Sequence, residues 1–417
     1  MTSSPVYIPG KAQAGFAVPQ TRTSWRRELR IWWREIDRVL LWLILGLMIL
    51  GTLGVAAASP ASARRLSTSE VSLPDLYFFW AHIRWQVVGL GILIVTSMLP
   101  REMWRRGAIL LAGAMLFLLF LVPIIGYEVN GAKRWIRFGL GVQPSEFLKP
   151  AFAVTLAWVL SWKLRDRGLP VIGISGGLVG VITALLMLQP NLGAAVLFGG
   201  TWLVLVLLAG LPLQRIGMLI GAGLGGLLAA YAFYDNARHR IDAFFGGPTP
   251  FDHVDLANRT LTGGGWTGRG FWLGENKMRL PEAHTDYIFS VIGEEFGLAV
   301  CAIIVVLYLA VILRVLVRLM DEDRLFIILA ASGLVAMFGG QAFINIMVNL
   351  QLFPSKGMTL PLVSYGGSST IAQCFTIGLL LAVTRRNPYL KRERFNLHDT
   401  LTPDQDDPAS GMRNSGV

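Results

Sequence analysis

The chain reads as an all-α integral membrane protein, with about ten transmembrane helices and a large outer-face loop between spans 7 and 8. Three observations point there. Only 15% of its 417 residues are charged and 53% are hydrophobic, where a soluble domain carries about 25% charge. The charge is unevenly spread, and many stretches of about 18 or more residues hold almost none, enough for a helix to cross about 30 Å of hydrocarbon. Lys and Arg also gather in alternate short loops, as orientation in a bilayer requires. A soluble enzyme, a disordered chain and a disulfide scaffold are excluded. Cys301 and Cys374 both lie in apolar stretches and offer no metal-ligand spacing.

In chain order, the basic lead 1–38 carries Arg22, Arg26, Arg27, Arg30, Arg34 and Arg38. These suit anionic headgroups and orientation, or the recruitment of other proteins. Apolar runs then place spans near 39–58, 81–99, 108–126, 144–162, 171–188, 191–211, 217–234, 286–313, 325–348 and 366–384, before a polar tail at 385–417. Lead and tail both have the composition of mobile segments. The Gln189-Pro190-Asn191 break is a turn signal and separates two spans. Ala56-Ala57-Ala58-Ser59 would suit a leader peptidase, but the apolar run and the polar lead before it are both too long for a leader.

The net charge of +11 needs an account. With both termini cytoplasmic, 23 of the 37 Lys and Arg residues fall on the inner side, 12 on the outer side and two, Arg84 and Lys149, within spans. The short loops decide the direction: Arg101, Arg105 and Arg106, then Lys163, Arg165 and Arg167, then Arg314, Arg318 and Arg324 share one side. Gly173-xxx-Gly177 and Gly221-xxx-Gly225 are spacings that let helices approach closely, within the bundle or at a dimer seam.

The loop 235–285 holds eight glycines, Trp266, Phe271 and Trp272, and an amphipathic stretch from Arg240 to Phe245. Packing against the membrane surface is expected of it. At its end Thr285 and Asp286 stand where a helix begins, with Glu294 and Glu295 two turns deeper. Thr285 and Asp286 could cap that helix; alternatively, the carboxylates line a cavity, since ionisable groups at membrane depth are costly. A second cluster runs from Asn130-Gly131-Ala132-Lys133-Arg134-Trp135 to Gln143-Pro144-Ser145-Glu146, with Lys149 following. Pro144 suits a first helical turn. Glu146 and Lys149, three apart on one face, either neutralise each other or join Arg134 in a cationic pocket for a phosphate-bearing ligand. A third cluster, Pro354 to Ser369, is rich in Pro, Gly and hydroxyls and reads as a re-entrant or broken segment, allowed at depth only if buried or lining a wet cavity. No Walker loop, Rossmann glycine pattern, His-Glu-x-x-His or Gly-x-Ser-x-Gly is present, so ATP-driven transport and serine or zinc hydrolysis lack support.

At Gly131–Trp135, Gln143–Lys149, Pro281–Glu295 and Pro354–Ser369 the sequence resembles the SEDS family of shape, elongation, division and sporulation proteins. The resemblance covers roughly residues 35–390, and the run with Lys356-Gly357 before Met358-Thr359-Leu360-Pro361 is similar to the family's division branch rather than its elongation branch. Asn191 departs from the Asp common there, and Asp252–Arg259 matches poorly. The resemblance implies a ten-span domain over 39–384 and a peptidoglycan glycosyltransferase that polymerises lipid II for septal wall synthesis, in the cytoplasmic (inner) membrane of a bacterium. Its partners would be a class B penicillin-binding protein and other division proteins, with no nucleic acid. The family's catalytic Asp falls on Asp286, as general base, with undecaprenyl diphosphate leaving. Substrate contacts are expected at Lys133, Arg134, Trp135 and Gln143, at Glu146, Lys149 and Gln189, at Arg240, and at His284, Thr285, Lys356, Ser364 and Tyr365. No tightly bound cofactor is expected, although a divalent Mg or Mn could accompany the diphosphate. A lipid II flippase, an elongation-type polymerase and a non-catalytic scaffold are the alternatives.

Overall fold

The computed structural model describes residues 25–69, 71–129, 132–138, 140–164, 168–233, 238, 242, 245–246, 253–354 and 357–385. Expectations for the lead before Trp25, the tail after Arg385, and Arg165, Arg167, Arg240 and Lys356 fall outside those residues. Helix α1 (Trp25–Glu35) belongs to a unit of its own and buries no side chain.

The second unit, from Ile36, is a helical bundle. Its helices are α2 (Arg38–Leu66), α3 (Tyr77–Met98), α4 (Arg101–Ile125), α5 (Pro144–Ser161), α6 (Val171–Met187), α7 (Leu192–Leu208) and α8 (Leu213–Phe233), then α9 (His253–Gly263) within the long loop, then α10 (Ile288–Leu319), α11 (Leu325–Asn349) and α12 (Gly367–Thr384). All but α9 coincide with the ten apolar runs. Among the described residues seven helices, α2, α3, α4, α8, α10, α11 and α12, are long and apolar enough to cross a membrane. Pro144 opens α5 at its first turn, where a missing N–H costs nothing. The break at Gln189-Pro190-Asn191 does separate α6 from α7. Asn191 caps α7, its Oδ1 accepting from the Ala194 N–H at 3.3 Å. An aspartate would cap equally well, so the departure at 191 leaves this end intact.

Helix α11 lies at the centre, packed by α5, α7, α10 and α12, while α12 lies along α3. Close approach of α3 and α12 rests on Gly89, where a Cβ would stand 2.7 Å from Cys374 Sγ, and on Gly378 against the Leu93 carbonyl. The two spaced glycine pairs do not serve this purpose: Gly177, Gly221 and Gly225 face open space, and Gly173 touches only Pro170. The outward sides of α4 and α8 are apolar, with Leu110, Phe117, Met218 and Leu228 exposed, as a membrane-embedded bundle requires.

Internal prolines create polar needs that other elements meet. Pro60 in α2 has no N–H to give the Ala56 carbonyl four residues earlier. Trp272 Nε1 supplies it instead at 3.1 Å, and Lys277 Nζ donates to the adjacent Ala57 carbonyl at 3.0 Å. Pro123 in α4 likewise strips the Leu119 carbonyl, which accepts from Gln189 Nε2 at 2.9 Å.

The long loop is built rather than structureless. Residues 264–277 lie against the start of α10, where Gly297 adopts φ 85° and bends the helix. Glu294 accepts from the N–H groups of Asn276 (2.8 Å) and Lys277 (2.9 Å). Glu295 accepts from Gly274 N–H (3.1 Å), Trp272 N–H and Lys277 Nζ (2.5 Å). Both carboxylates are fully buried and hold the loop, so they do not line a cavity. At the far end of α10, Arg314 and Arg318 bind Asp37, the cap of α2, at 2.9 and 2.8 Å. Burial alone would raise the Asp37 carboxyl, but these guanidinium groups and the Leu40 N–H hold it below its ordinary range.

The segment 127–143 adds one small sheet to the helical fold. Strands β1 (Tyr127–Val129), β2 (Ala132–Phe138) and β3 (Leu140–Val142) form a three-stranded antiparallel sheet in that order. Alternation along β2 turns Ile136 into the core and exposes Lys133 and Arg137.

Candidate functional site

The third polar cluster enters the bundle as irregular backbone between α11 and α12. Its apex lies at mid-bundle: a Cβ on Gly51 would stand 2.6 Å from Val363 Cα and 2.7 Å from the Leu362 carbonyl oxygen. Gly51 sits near the middle of α2, about 20 Å from either end at about 1.5 Å per residue. Leu362 takes a left-handed φ of 65° to make the turn. Backbone at this depth must be satisfied by protein. Tyr308 of α10 donates to the Pro361 carbonyl at 2.5 Å. Gln341 Nε2 donates to the Thr359 carbonyl at 2.9 Å, and Asn345 Nδ2 to the Met358 carbonyl at 2.6 Å. The Ser364 hydroxyl closes the turn by accepting from the Leu360 N–H at 2.8 Å.

This segment brings the other two clusters together. Ser364 Oγ donates to the Thr285 carbonyl at 2.5 Å, and the Tyr365 N–H donates to the His284 carbonyl at 2.9 Å. Ser368 Oγ, at the start of α12, donates to the Gly141 carbonyl at 2.8 Å and accepts from the Gln143 N–H at 3.4 Å. At the meeting point stands Gly357. A Cβ there would lie 3.3 Å from Asp286 Oδ2 and 3.4 Å from Arg134 Nη1. Carboxylate and guanidinium therefore flank one small space floored by a residue with no side chain.

Arg134 is aimed rather than loose. Its Nε donates to the Gln189 carbonyl at 3.1 Å and its Nη2 to the Pro190 carbonyl, which leaves Nη1 on the side of Gly357. Asp286 is half-buried, and its carbonyl accepts from Asn345 Nδ2 at 2.8 Å and Asn349 Nδ2 at 3.2 Å. The capping alternative does not describe this end. Helix α10 begins one residue later, with Tyr287 at the cap position and no side-chain cap, and the Thr285 hydroxyl donates to Glu282 at 2.7 Å.

The remaining expected residues divide between rim, support and core. Lys133 is exposed on the sheet and Trp135 is half-buried beside it. His284 is buried with its ring 4.2 Å from Phe78 and 5.3 Å from Tyr365, centre to centre. Burial pulls its imidazole down to about 4, against a smaller opposing pull from Glu282, and Nδ1 has no hydrogen-bond partner. Burial also raises the Tyr365 phenol. Gln189 is buried and serves Arg134 and Leu119, as above. Glu146 and Lys149 form a buried pair at 2.5 Å, and Lys149 also donates to Gln341 Oε1 at 2.7 Å. That is the mutually neutralising arrangement, joined through Gln341 to Thr359 and not directed at the space by Gly357. Arg240 and Lys356 lie outside the described residues. Among the described residues no group of three or more His, Cys, Asp and Glu could hold a metal, so no ligand for a divalent cation is assigned.

Three supporting residues escaped sequence reasoning: Gln341, Asn345 and Asn349. Their signal was there, a polar residue every four positions on one face of an otherwise apolar helix.

A protein of Caulobacter vibrioides named as a peptidoglycan glycosyltransferase FtsW is 36% identical over 367 residues, covering 87% of this chain and 93% of that protein. One of Geobacter metallireducens with the same name is 35% identical, covering 85% and 96%. Among solved structures, a chain of a peptidoglycan synthase complex that coordinates polymerization and crosslinking superposes with a TM-score of 0.66 at 29% identity, covering 84% of this chain and 97% of that one. The crystal structure of the rod shape determining protein RodA of Thermus thermophilus gives a TM-score of 0.63 at 28% identity, with the same coverage. With the cell cycle protein model for FtsW, RodA and SpoVE matching residues 38–389, the chain belongs to that family.

Proposed function

We propose that this chain is a peptidoglycan glycosyltransferase of the division type, polymerising lipid II into glycan strands for the septal wall. The observation that carries the reading is the single space at Gly357 flanked by Asp286 Oδ2 and Arg134 Nη1. An acceptor sugar hydroxyl attacks the anomeric carbon of the donor while Asp286 takes its proton. The new glycosidic bond forms as the bond to the diphosphate breaks, with inversion, and undecaprenyl diphosphate leaves carrying the electron pair. Arg134, fixed by two backbone carbonyls, presents positive charge where charge builds on the leaving oxygens. Gly357 gives the reacting groups room, because any side chain there would meet both charged groups.

The setting is a bacterial cytoplasmic membrane, with both termini inside and the site on the outer face at the division septum. A class B penicillin-binding protein would cross-link the product; the solved complex of polymerization and crosslinking supports that partner. Flipping of lipid II would call on charged residues at membrane depth to line a polar route. Those residues are committed elsewhere, Glu294 and Glu295 to the loop and Glu146 to Lys149. The test is purified full-length protein with its partner in vesicles holding labelled lipid II. Glycan polymer formed at a rate dependent on this protein is the expected result. Transfer of label between leaflets with no polymer would overturn the reading.

A further inference from the structure

The side-chain amide of Asn345 joins two backbone segments beside Asp286. Its nitrogen carries two hydrogens and has two backbone acceptors, the Asp286 carbonyl at 2.8 Å and the Met358 carbonyl at 2.6 Å. Both partners can only accept, so the amide orientation follows from chemistry. Its Oδ1 accepts from Asn349 Nδ2 at 3.3 Å, and Asn349 Oδ1 is in turn held by the Ser290 hydroxyl at 2.8 Å. Asn345 and Asn349 are both buried, where hydrogen bonds are strong and hard to exchange. Met358 is the neighbour of Gly357, and Gly357 faces the Asp286 carboxylate. One amide thus ties the backbone that carries the carboxylate to the backbone that floors the space beside it.

We propose that Asn345 is a positioning residue for Asp286, setting the separation between the Asp286 backbone and the 357–358 backbone and through it the alignment of the carboxylate. The inference rests on the assignment of Asp286 above. An apolar residue at 345 would release the two backbones from each other, and a displacement of about 1 Å at a reacting group costs on the order of a hundredfold in rate.

The experiment compares Asn345→Leu, Asn345→Ser and Asp286→Asn with wild type, as full chains with the partner protein, using lipid II as probe. Turnover is counted per molecule that still binds lipid II, which removes unfolded protein from the comparison. The expected result for Asn345→Leu is a kcat lower by on the order of a hundredfold, with lipid II affinity within about threefold of wild type. Wild-type turnover per binding molecule, or a loss confined to KM, overturns the proposal. If the leucine variant does not insert, Asn345→Ser decides. It keeps one donor on an arm too short for both carbonyls, so it must lose at least about tenfold in kcat, and wild-type turnover from it is equally fatal. Polymer from Asp286→Asn would remove the assignment of Asp286 itself, a separate failure from an inactive Asp286→Asn beside an unaffected Asn345 variant.

Discussion

His284 lies two residues from Asp286, and its ring is enclosed by Phe78 and Tyr365. Held down to about 4 by burial, it stays neutral in the folded protein while an unfolded chain protonates it near 6.5. The unfolded state therefore binds the extra proton between those values, and stability falls as pH drops from about 6.5 towards about 4. Between pH 6.5 and 5 this amounts to roughly 2 kcal/mol. Thermal unfolding in detergent should show that decline in wild type and a shallower one in His284→Phe, which keeps the ring packing; parallel pH dependences would refute it. At this scale the polar clusters that hold Asp286 and Arg134 were legible, and the family resemblance, not hydropathy, singled out Asp286 within them. Their partners were not. Arg134 and Lys149 look alike in sequence, yet one faces Gly357 and the other is closed into a pair with Glu146. Nor does hydropathy single out Asn345, a neutral residue inside an apolar helix.

Helix α2 and the re-entrant segment meet at Gly51, where a Cβ would stand within 2.7 Å of Leu362 and Val363 backbone atoms. Gly51→Ala should push the segment away and cost about 1–3 kcal/mol, seen as a lower unfolding temperature together with slower polymerisation. Gly177→Ala, where a Cβ meets nothing, should stay within about 0.5 kcal/mol of wild type. Equal effects from the two would show that the contact at Gly51 does not hold the segment. The helices were legible as elements because apolar runs bounded by charge fix them, and the clustered Pro, Gly and hydroxyls betrayed the broken segment. The sheet at 127–142 was hidden by its short strands, and the bend of α10 by a glycine indistinguishable from the others of the chain. The roles of Glu294 and Glu295 depend on a loop some twenty residues earlier folding back, which no local pattern reveals.

For the molecule as a whole, the arrangement separates two kinds of polar group. Asp37, Arg314 and Arg318 lock α2 to α10 at one end, and the loop 264–277 locks the same two helices nearer the other through Lys277, Trp272 and the two glutamates. Between the β-sheet, the start of α10 and the re-entrant segment lies the space flanked by Asp286 and Arg134. On the proposed reading, Arg134, aimed by two backbone carbonyls, faces the diphosphate of a lipid-linked sugar. The most direct measurement is lipid II polymerisation by purified full-length protein carrying Asp286→Asn, assayed with its partner beside wild type. The expected result is a folded, membrane-inserted variant that still binds lipid II and makes no polymer. Polymer of normal length made at the wild-type rate would contradict it.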